Sequence, residues 1–453
     1  MRWWRGLAAC LVVFAGAGCA HVRPEPTAAC RLRALPLNVS QSHPTALTAP
    51  QKTFQDELGE LLSAPRRTTP GALTAPLEVL VLSGGSQNGA FGAGLAYGLG
   101  RHPKYDVVTG ISTGALLSTL IFLAKDPPPG DRDYPAVKPG LPYQGARSNV
   151  EDLIVAYAIE EEGELLKTGS SQLYDGLVKG AVGSLTPLRA RLLRFLTQGT
   201  LEQLKAARAE GRRLYVGVTD VDDGRAYALE LTEVAARLRP DSTPAEVRTL
   251  RECYVDALVA SSSVPIAAEP VTLNIRLGDG AEKTDLFVDG GVRYGVFLRQ
   301  VAPNEGSAPP INVTLVVNGK LYSRPWSEGG GRPETWSAIT LALRSVDLLK
   351  NQVYRFSVED VERLPRNGGE LKMAFISNEG LSALPGDPDE HVFQGRTCRQ
   401  WKEHDRDTAK PVEFHPAFMA CLIDYGVARG RQDPWNLRCA DPADCRAQVA
   451  RLP

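Results

Sequence analysis

Two glycine-containing turns, each lying between a short apolar run and a helical pattern, constrain the fold of this chain most strongly. The first turn, Gly84-Gly85-Ser86-Gln87-Asn88-Gly89, follows an apolar run over 77–82. The second, Gly110-Ile111-Ser112-Thr113-Gly114, follows a second run that starts at Tyr105. Strand, turn and helix repeated in this way predict a parallel sheet and an α/β fold.

The second turn has the pattern G-x-S-x-G, whose glycines allow a sharp change of direction from a strand into a helix. We expect the turn to leave the Ser112 hydroxyl exposed at the end of the strand. The first turn presents the backbone N–H groups of Gly84, Gly85 and Ser86 at a helix N-terminus, where negative charge is favoured. A serine nucleophile beside an oxyanion site favours acyl-transfer chemistry.

Composition excludes one class of function. The chain has 51 basic and 52 acidic side chains, so no basic excess favours binding to nucleic acid. We find no internal repeat and no long polar linker after residue 77. The sequence therefore predicts one large α/β catalytic domain over 77–320, and a C-terminal extension over 321–453 that packs on it.

The N-terminus predicts export. Arg2 and Arg5 precede an apolar stretch over 6–18, which is shorter than the ~20 residues that span a bilayer. We interpret residues 1–18 as a signal peptide. The small residues before Cys19 resemble a bacterial lipobox, although Gly16 stands where a large aliphatic residue is usual. Lipidation of Cys19 would place the protein in the cell envelope, with the outer membrane as the expected site; ordinary cleavage and an uncleaved anchor are the alternatives.

The segment from residue 19 to residue 76 is rich in Pro, Thr and Ala and contains one short helical pattern, near 54–62. Such a composition offers little apolar periodicity to offset the entropy of ordering. We interpret it as a lipidated tether that holds the catalytic domain away from a membrane surface.

Cysteine usage agrees with export. Apart from Cys10 and Cys19, the chain has an even set of cysteines: Cys30, Cys253, Cys398, Cys421, Cys439 and Cys445. The clustering of the last four favours two local disulfides, Cys398–Cys421 and Cys439–Cys445. No Cys or His pair has zinc-ligand spacing, so neither a metal nor another cofactor is expected.

These segments resemble the patatin-like phospholipase family. Residues 82–91 resemble its glycine-rich oxyanion loop, residues 110–114 its nucleophile elbow, and Asp289-Gly290-Gly291 its D-G-G motif. Two further segments, 213–220 and 260–265, resemble internal segments of the family. Ser86 stands where many members have a third glycine, and Asn88 where many have Arg or Lys.

The resemblance implies a three-layer α/β/α fold with a mostly parallel central sheet. It also implies a Ser112–Asp289 dyad in which Asp289 accepts the serine proton. Gly84, Gly85 and Ser86 would receive the carbonyl oxygen as it becomes an oxyanion. The expected activity is hydrolysis of acyl esters in phospholipids or related lipids, of phospholipase A or lysophospholipase type, without a cofactor.

Two alternatives remain open. An α/β-hydrolase would use a Ser-Asp-His triad, for which His391, His404 and His415 follow Asp289 in the required order. A non-catalytic envelope lipoprotein would bind lipid without reacting.

A last helical pattern lies over 336–354. Its residues at helical spacing are Leu341, Ala342, Ser345, Leu348, Leu349 and Gln352. We interpret this stripe as a core face, with a lid or interfacial face as the alternative.

Overall fold

The structure is a computed structural model that describes residues 23–26, 28–37, 52–63, 75–135, 141–168, 181–298, 309–319, 321, 338–364, 368–376 and 391–449. Its strands are β1 (Arg31–Pro36), β2 (Leu77–Leu82), β3 (Val107–Ile111), β4 (Lys167–Thr168), β5 (Ala181–Ser184), β6 (Arg213–Asp220), β7 (Ala226–Glu230), β8 (Ile266–Ala268), β9 (Val271–Arg276), β10 (Glu282–Asp289), β11 (Ile311–Val317), β12 (Leu371–Phe375), β13 (Val392–Phe393), β14 (Arg396–Thr397) and β15 (Leu437–Cys439). Its α-helices are α1 (Phe54–Ser63), α2 (Gly89–Leu99), α3 (Thr113–Phe122), α4 (Asn149–Tyr157), α5 (Thr186–Phe195), α6 (Gln198–Ala209), α7 (Leu231–Ala236), α8 (Pro244–Ser262), α9 (Ala338–Glu362), α10 (Cys398–Thr408), α11 (Pro416–Arg431) and α12 (Pro442–Val449). Short 3₁₀ turns cover Ser86–Asn88, Glu162–Glu164 and Gly290–Val292.

One large sheet organises the molecule, with the strand order β10-β9-β1-β7-β6-β3-β2-β11-β12-β15. The central run from β6 to β12 is parallel throughout, whereas β7 and β15 pair antiparallel at its two ends. Parallel strands need crossover connections, which here are helical and place α2 after β2 and α3 after β3.

Alternate residues of each central strand supply two separate cores. In β2, Leu80 and Leu82 belong to the core that also contains Phe91 of α2. Val79 and Val81 point to the other face and share a core with Phe54 of α1. This period of two is the side-chain alternation of a strand, and it covers both faces of the sheet with helices. The predicted three-layer α/β/α fold with a mostly parallel sheet is therefore confirmed.

Capping residues divide two helical parts of the chain. Residues 186–209 form two helices, α5 and α6, because the Thr197 hydroxyl accepts a hydrogen bond from the Thr200 N–H and starts a new helix. Helix α4 ends at Tyr157, and a capping box between Glu161 and Glu164 then forms a 3₁₀ turn.

The tether predicted over 19–76 is wrong for the parts that the structure describes. Strand β1 lies inside the sheet, antiparallel to β7 and parallel to β9. Arg33 of β1 forms ion pairs with Glu57 of α1 and with Glu230. A disulfide joins Cys30 to Cys253. Residues 1–22, which include the predicted signal peptide and Cys19, lie outside the described residues.

The C-terminal extension is part of the same sheet. Strand β12 pairs parallel with β11, and β15 pairs antiparallel with β12. Helix α11 packs closely along α2, where Gly98 approaches Gly430. The two predicted local disulfides, Cys398–Cys421 and Cys439–Cys445, are confirmed. None of the described helices has the length and apolar character that crossing a membrane requires.

Candidate active site

The turn that carries Ser112 is a strained elbow between β3 and α3. Ser112 has φ 54° and ψ −126°, a conformation that serine rarely adopts. A Cβ atom on Gly114 would lie 2.4 Å from the Leu82 carbonyl oxygen, so this position requires glycine. The Ser112 N–H donates to the Ser261 hydroxyl oxygen at 3.0 Å, and that hydroxyl donates to the Gly217 carbonyl at 2.7 Å. This chain of hydrogen bonds ties the elbow to the centre of the sheet.

Sheet register brings Asp289 to the same place. Ile111, at the end of β3, pairs with Gly217 of β6. Asp289, at the end of β10, pairs with Val218, the next residue of β6. Two residues far apart in sequence therefore meet at the end of one strand.

The Asp289 carboxylate is buried and hydrogen-bonded. It is 4% exposed and accepts a hydrogen bond from the Gly291 N–H at 2.6 Å. Burial raises the pKa of Asp289 above its ordinary value of 3.8, although the Ser112 hydroxyl, the Gly291 N–H and the positive charge of Lys350 act in the opposite direction. A buried carboxylate with a raised pKa is a stronger base than one in water.

The glycine-rich turn lies beside Ser112. A Cβ atom built on Gly84 would be 3.2 Å from the Ser112 Cβ. Gly85 has φ 153°, and a Cβ on it would lie 2.5 Å from the backbone of Asn318, so both conformation and space require glycine there. Among the described residues, the N–H groups of Gly85 and Ser86 have no protein acceptor.

Gly84 differs from the other two predicted oxyanion donors. Its N–H donates to the Gly295 carbonyl oxygen at 3.3 Å. This donor already has an acceptor, whereas Gly85 and Ser86 form an available pair; the oxyanion role of all three residues stays a prediction.

Ser112 opens into an internal cavity of about 170 Å³. Ser112 itself is only 6% exposed, so the prediction of an exposed hydroxyl is wrong for bulk solvent, and the hydroxyl faces the cavity instead. The cavity walls are mostly apolar side chains from α3, α4 and α5, including Leu116, Leu120, Leu153, Leu188, Leu192 and Phe195. Its polar lining includes Ser86, Lys350 and Glu413.

The sequence analysis did not identify Lys350 or Glu413. Lys350 lies on α9, the helix whose stripe was interpreted as a core face. That interpretation is wrong, because Leu341 is 43% exposed, Leu348 44% and Leu349 68%. The side chain of Ala342 lies outside the described residues. No local signal marks Glu413, which lies 327 residues from its partner Ser86.

The three histidines of the alternative triad have other partners. His391 Nε2 lies 2.8 Å from an Asp424 carboxylate oxygen, and His415 Nδ1 lies 3.1 Å from the Gln87 side-chain oxygen. His404 packs against the ring of Trp401, with 5.6 Å between ring centroids. Among the described residues that line the cavity, none is a histidine. The geometry therefore favours the dyad over the triad.

One acidic group, Asp220, Asp222 and Asp285, has oxygens close enough to hold a metal ion. Lys283 occupies its centre, with its ammonium 2.5 Å from Asp220 and 2.8 Å from Asp285. Arg23 pairs with Asp222 at 2.7 Å. Each carboxylate of the cluster is thus paired with a side-chain cation of the protein.

A serine on a sharp strand-to-helix turn, beside a glycine-rich turn with available N–H groups, is the arrangement that acyl hydrolases use. Residues 80–302 match the family model of the patatin-like phospholipases, so the chain contains a patatin-like phospholipase domain. The general activity of the family is lipid acyl hydrolysis.

Comparison with solved structures and curated proteins adds little to this assignment. The structure of VipD from Legionella pneumophila is similar at 13% sequence identity and a TM-score of 0.30, over 83% of this chain and 72% of that chain. No curated protein matches the chain.

Proposed function

We propose that the protein is a serine lipid acyl hydrolase that uses Ser112 as nucleophile and Asp289 as general base. The observation that carries the proposal is the sheet register that brings the Ser112 elbow beside the buried Asp289 carboxylate, at the wall of an apolar cavity. A serine hydroxyl is a weak nucleophile and needs a base within hydrogen-bond reach. The Ser112 hydroxyl lowers the pKa of Asp289, which supports Asp289 as that base without a histidine.

The reaction follows from the positions of these groups. Asp289 takes the Ser112 proton as the serine oxygen attacks the ester carbonyl. The developing oxyanion accepts hydrogen bonds from the Gly85 and Ser86 N–H groups, each worth roughly 3–4 kcal/mol by analogy with other oxyanion sites. The alcohol leaves with a proton from Asp289, and water then releases the acyl group by the same steps.

The apolar cavity supports a fatty-acyl substrate. Leucine and phenylalanine side chains from α3, α4 and α5 surround the space beside Ser112, and an alkyl chain gains ~0.8 kcal/mol for each CH₂ that is removed from water. We propose phospholipids or lysophospholipids as substrates, cleaved as by a phospholipase A or a lysophospholipase.

Purified protein given phospholipid vesicles should release free fatty acid, and a series of nitrophenyl esters should show lower KM as the acyl chain lengthens. Ala156→Leu, which narrows the cavity, should slow long-chain esters more than the acetyl ester. Ser112→Ala is the inactive control. Equal loss on all chain lengths would show that the cavity does not hold the acyl group.

We also propose that the protein is lipidated on Cys19 and held at the bacterial outer membrane. The support is the small-residue segment before Cys19, following a short apolar stretch. Because one lipid chain binds membranes only marginally, stable anchoring needs the several chains of full lipoprotein processing. Mass spectrometry of the native N-terminus should find lipid on Cys19, and Cys19→Ser should lose it; an unmodified N-terminus would remove the anchor and leave the hydrolase proposal intact.

A further inference from the structure

Ser86 stands in a backbone conformation that glycine usually occupies. Its φ is 52°, in the left-handed region that L-residues other than Asn and Asp seldom adopt. The serine therefore needs a compensating interaction to hold this conformation. The Ser86 hydroxyl supplies one by donating a hydrogen bond to the Glu413 carboxylate.

Glu413 belongs to a short segment, Val412–His415, which we call the strap. One carboxylate, that of Glu162, accepts hydrogen bonds from three consecutive strap N–H groups. The distances are 2.9 Å from Val412, 2.6 Å from Glu413 and 2.9 Å from Phe414. This fixes the backbone of the strap against the 3₁₀ turn over 162–164.

The end of the strap is fixed to the oxyanion turn itself. The His415 N–H donates to the Gln87 side-chain oxygen at 3.1 Å, and Gln87 directly follows Ser86. Helix α11 begins at the next residue and packs along α2, which begins just after the turn. Both ends of the strap are therefore held, and Glu413 has a defined position.

The strap also reaches the site of chemistry. Ser86, Glu413 and Phe414 line the same cavity as Ser112. The Ser86 N–H is one of the two available oxyanion donors, and its direction depends on the backbone angles of Ser86.

We propose that Glu413 is a positioning residue for the oxyanion site, and that it holds Ser86 at positive φ so that the Ser86 N–H points to the oxyanion. This inference rests on the proposed hydrolase function. It makes the C-terminal extension a part of the catalytic unit, in place of the glycine that the turn lacks.

A double-mutant cycle on the purified full-length protein tests the proposal. Glu413→Ala should lower kcat about 10-fold or more with little change in KM, since loss of a whole oxyanion donor costs ~10²–10³ in kcat. Ser86→Gly supplies the background without a hydroxyl for Glu413 to hold, because glycine keeps the N–H and adopts positive φ unaided. Glu413→Ala should then have little further effect in the Ser86→Gly background. Glu413→Gln, which keeps a side-chain oxygen acceptor, should retain most of the activity.

Glu403→Ala, an exposed glutamate on α10, is the matched control and should leave kcat unchanged. Melting curves confirm that each variant is folded. An equal loss of kcat from Glu413→Ala in both backgrounds, or no loss in either, would overturn the inference. The proposed function would still stand in that case, provided that Ser112→Ala abolishes the activity. A folded wild-type protein with no ester hydrolysis would overturn both.

Discussion

Ser86 and Ser112 are both serines at positive φ, 52° and 54°, and both line the same cavity, but different parts of the chain hold them. The Ser112 elbow is tied by Ser261 to Gly217, within residues 80–302. Ser86 is held by Glu413, which lies outside that range. The nucleophile is thus supported by the sheet of the family domain, whereas the oxyanion turn is supported by the C-terminal extension.

Gly85, like Ser86, is held by a residue outside 80–302. It packs against the backbone of Asn318, whose N–H donates to the Ser83 hydroxyl oxygen at 2.7 Å. Both residues of the oxyanion pair therefore rest on residues that follow 302. Residues 80–302, which match the family, therefore contain the proposed nucleophile and base but not the groups that hold the oxyanion turn.

The largest expected effect comes from the same substitution at the two serines. Ser112→Ala should lower kcat by about 10⁴-fold or more, because the nucleophile is lost. Ser86→Ala should lower it only about tenfold, because the N–H remains while the hydroxyl that holds its direction is gone. Steady-state hydrolysis of a nitrophenyl ester measures kcat for both variants. Equal losses of kcat would contradict the different roles proposed for the two serines.

Asp289→Asn should lower kcat about 10³-fold, because an amide cannot accept the serine proton. In the wild type, kcat/KM should fall as the pH drops through the pKa of Asp289, which burial raises above 3.8. A profile of kcat/KM against pH measures this loss of activity in acid.

The raised pKa of Asp289 also predicts how Asp289→Asn changes stability relative to the wild type. A carboxyl whose folded pKa is raised favours folding below its unfolded pKa, and this contribution is lost as the pH rises through the folded pKa. Above that folded pKa the wild type carries a buried charge that Asp289→Asn removes. The melting temperature of the variant relative to the wild type should therefore rise as the pH increases; a relative melting temperature that falls with increasing pH would contradict the burial argument.

Alanine at His391, His404 or His415 should each leave activity within about tenfold of the wild type. Of the three, His415→Ala should cost the most, because His415 contacts Gln87 in the oxyanion turn. Loss of more than about 100-fold from any one of them would favour the triad instead.

The smallest expected effect on catalysis comes from the disulfide Cys398–Cys421, which joins α10 to α11. Replacing both cysteines with serine should lower stability by about 2–4 kcal/mol. Activity of the folded variant should fall only a few-fold, since Glu162 still holds the strap. Urea unfolding and kcat together measure this; full loss of activity in a folded variant would mean that the bridge itself positions the strap.

Local patterns were enough to predict the central fold, and the family resemblance that they support implies the Ser112–Asp289 pair. The strand at 77–82, the elbow at Ser112 and the D-G-G turn at Asp289 each depend on a few neighbouring residues. Strand β1 was missed because six residues show little periodicity, and its pairing partners lie about 200 residues away along the chain.

Residues that act across long sequence separations could not be predicted. Ser261 fixes the elbow from 149 residues away, and Glu413 reaches Ser86 from 327. The prediction that the stripe on α9 is a core face was wrong for another reason. Helical spacing shows that Leu348 and Leu349 share a face, but it does not show whether other parts of the protein cover that face.

Fluorophosphonate labelling followed by peptide mass spectrometry tests the central claim most directly, because this probe reacts covalently only with an activated serine. The account predicts a single adduct on Ser112 in the wild type, none there in Ser112→Ala, and labelling slowed at least about 100-fold in Asp289→Asn. An adduct on another serine, or an unchanged labelling rate at Ser112 in Asp289→Asn, would contradict the Ser112–Asp289 dyad.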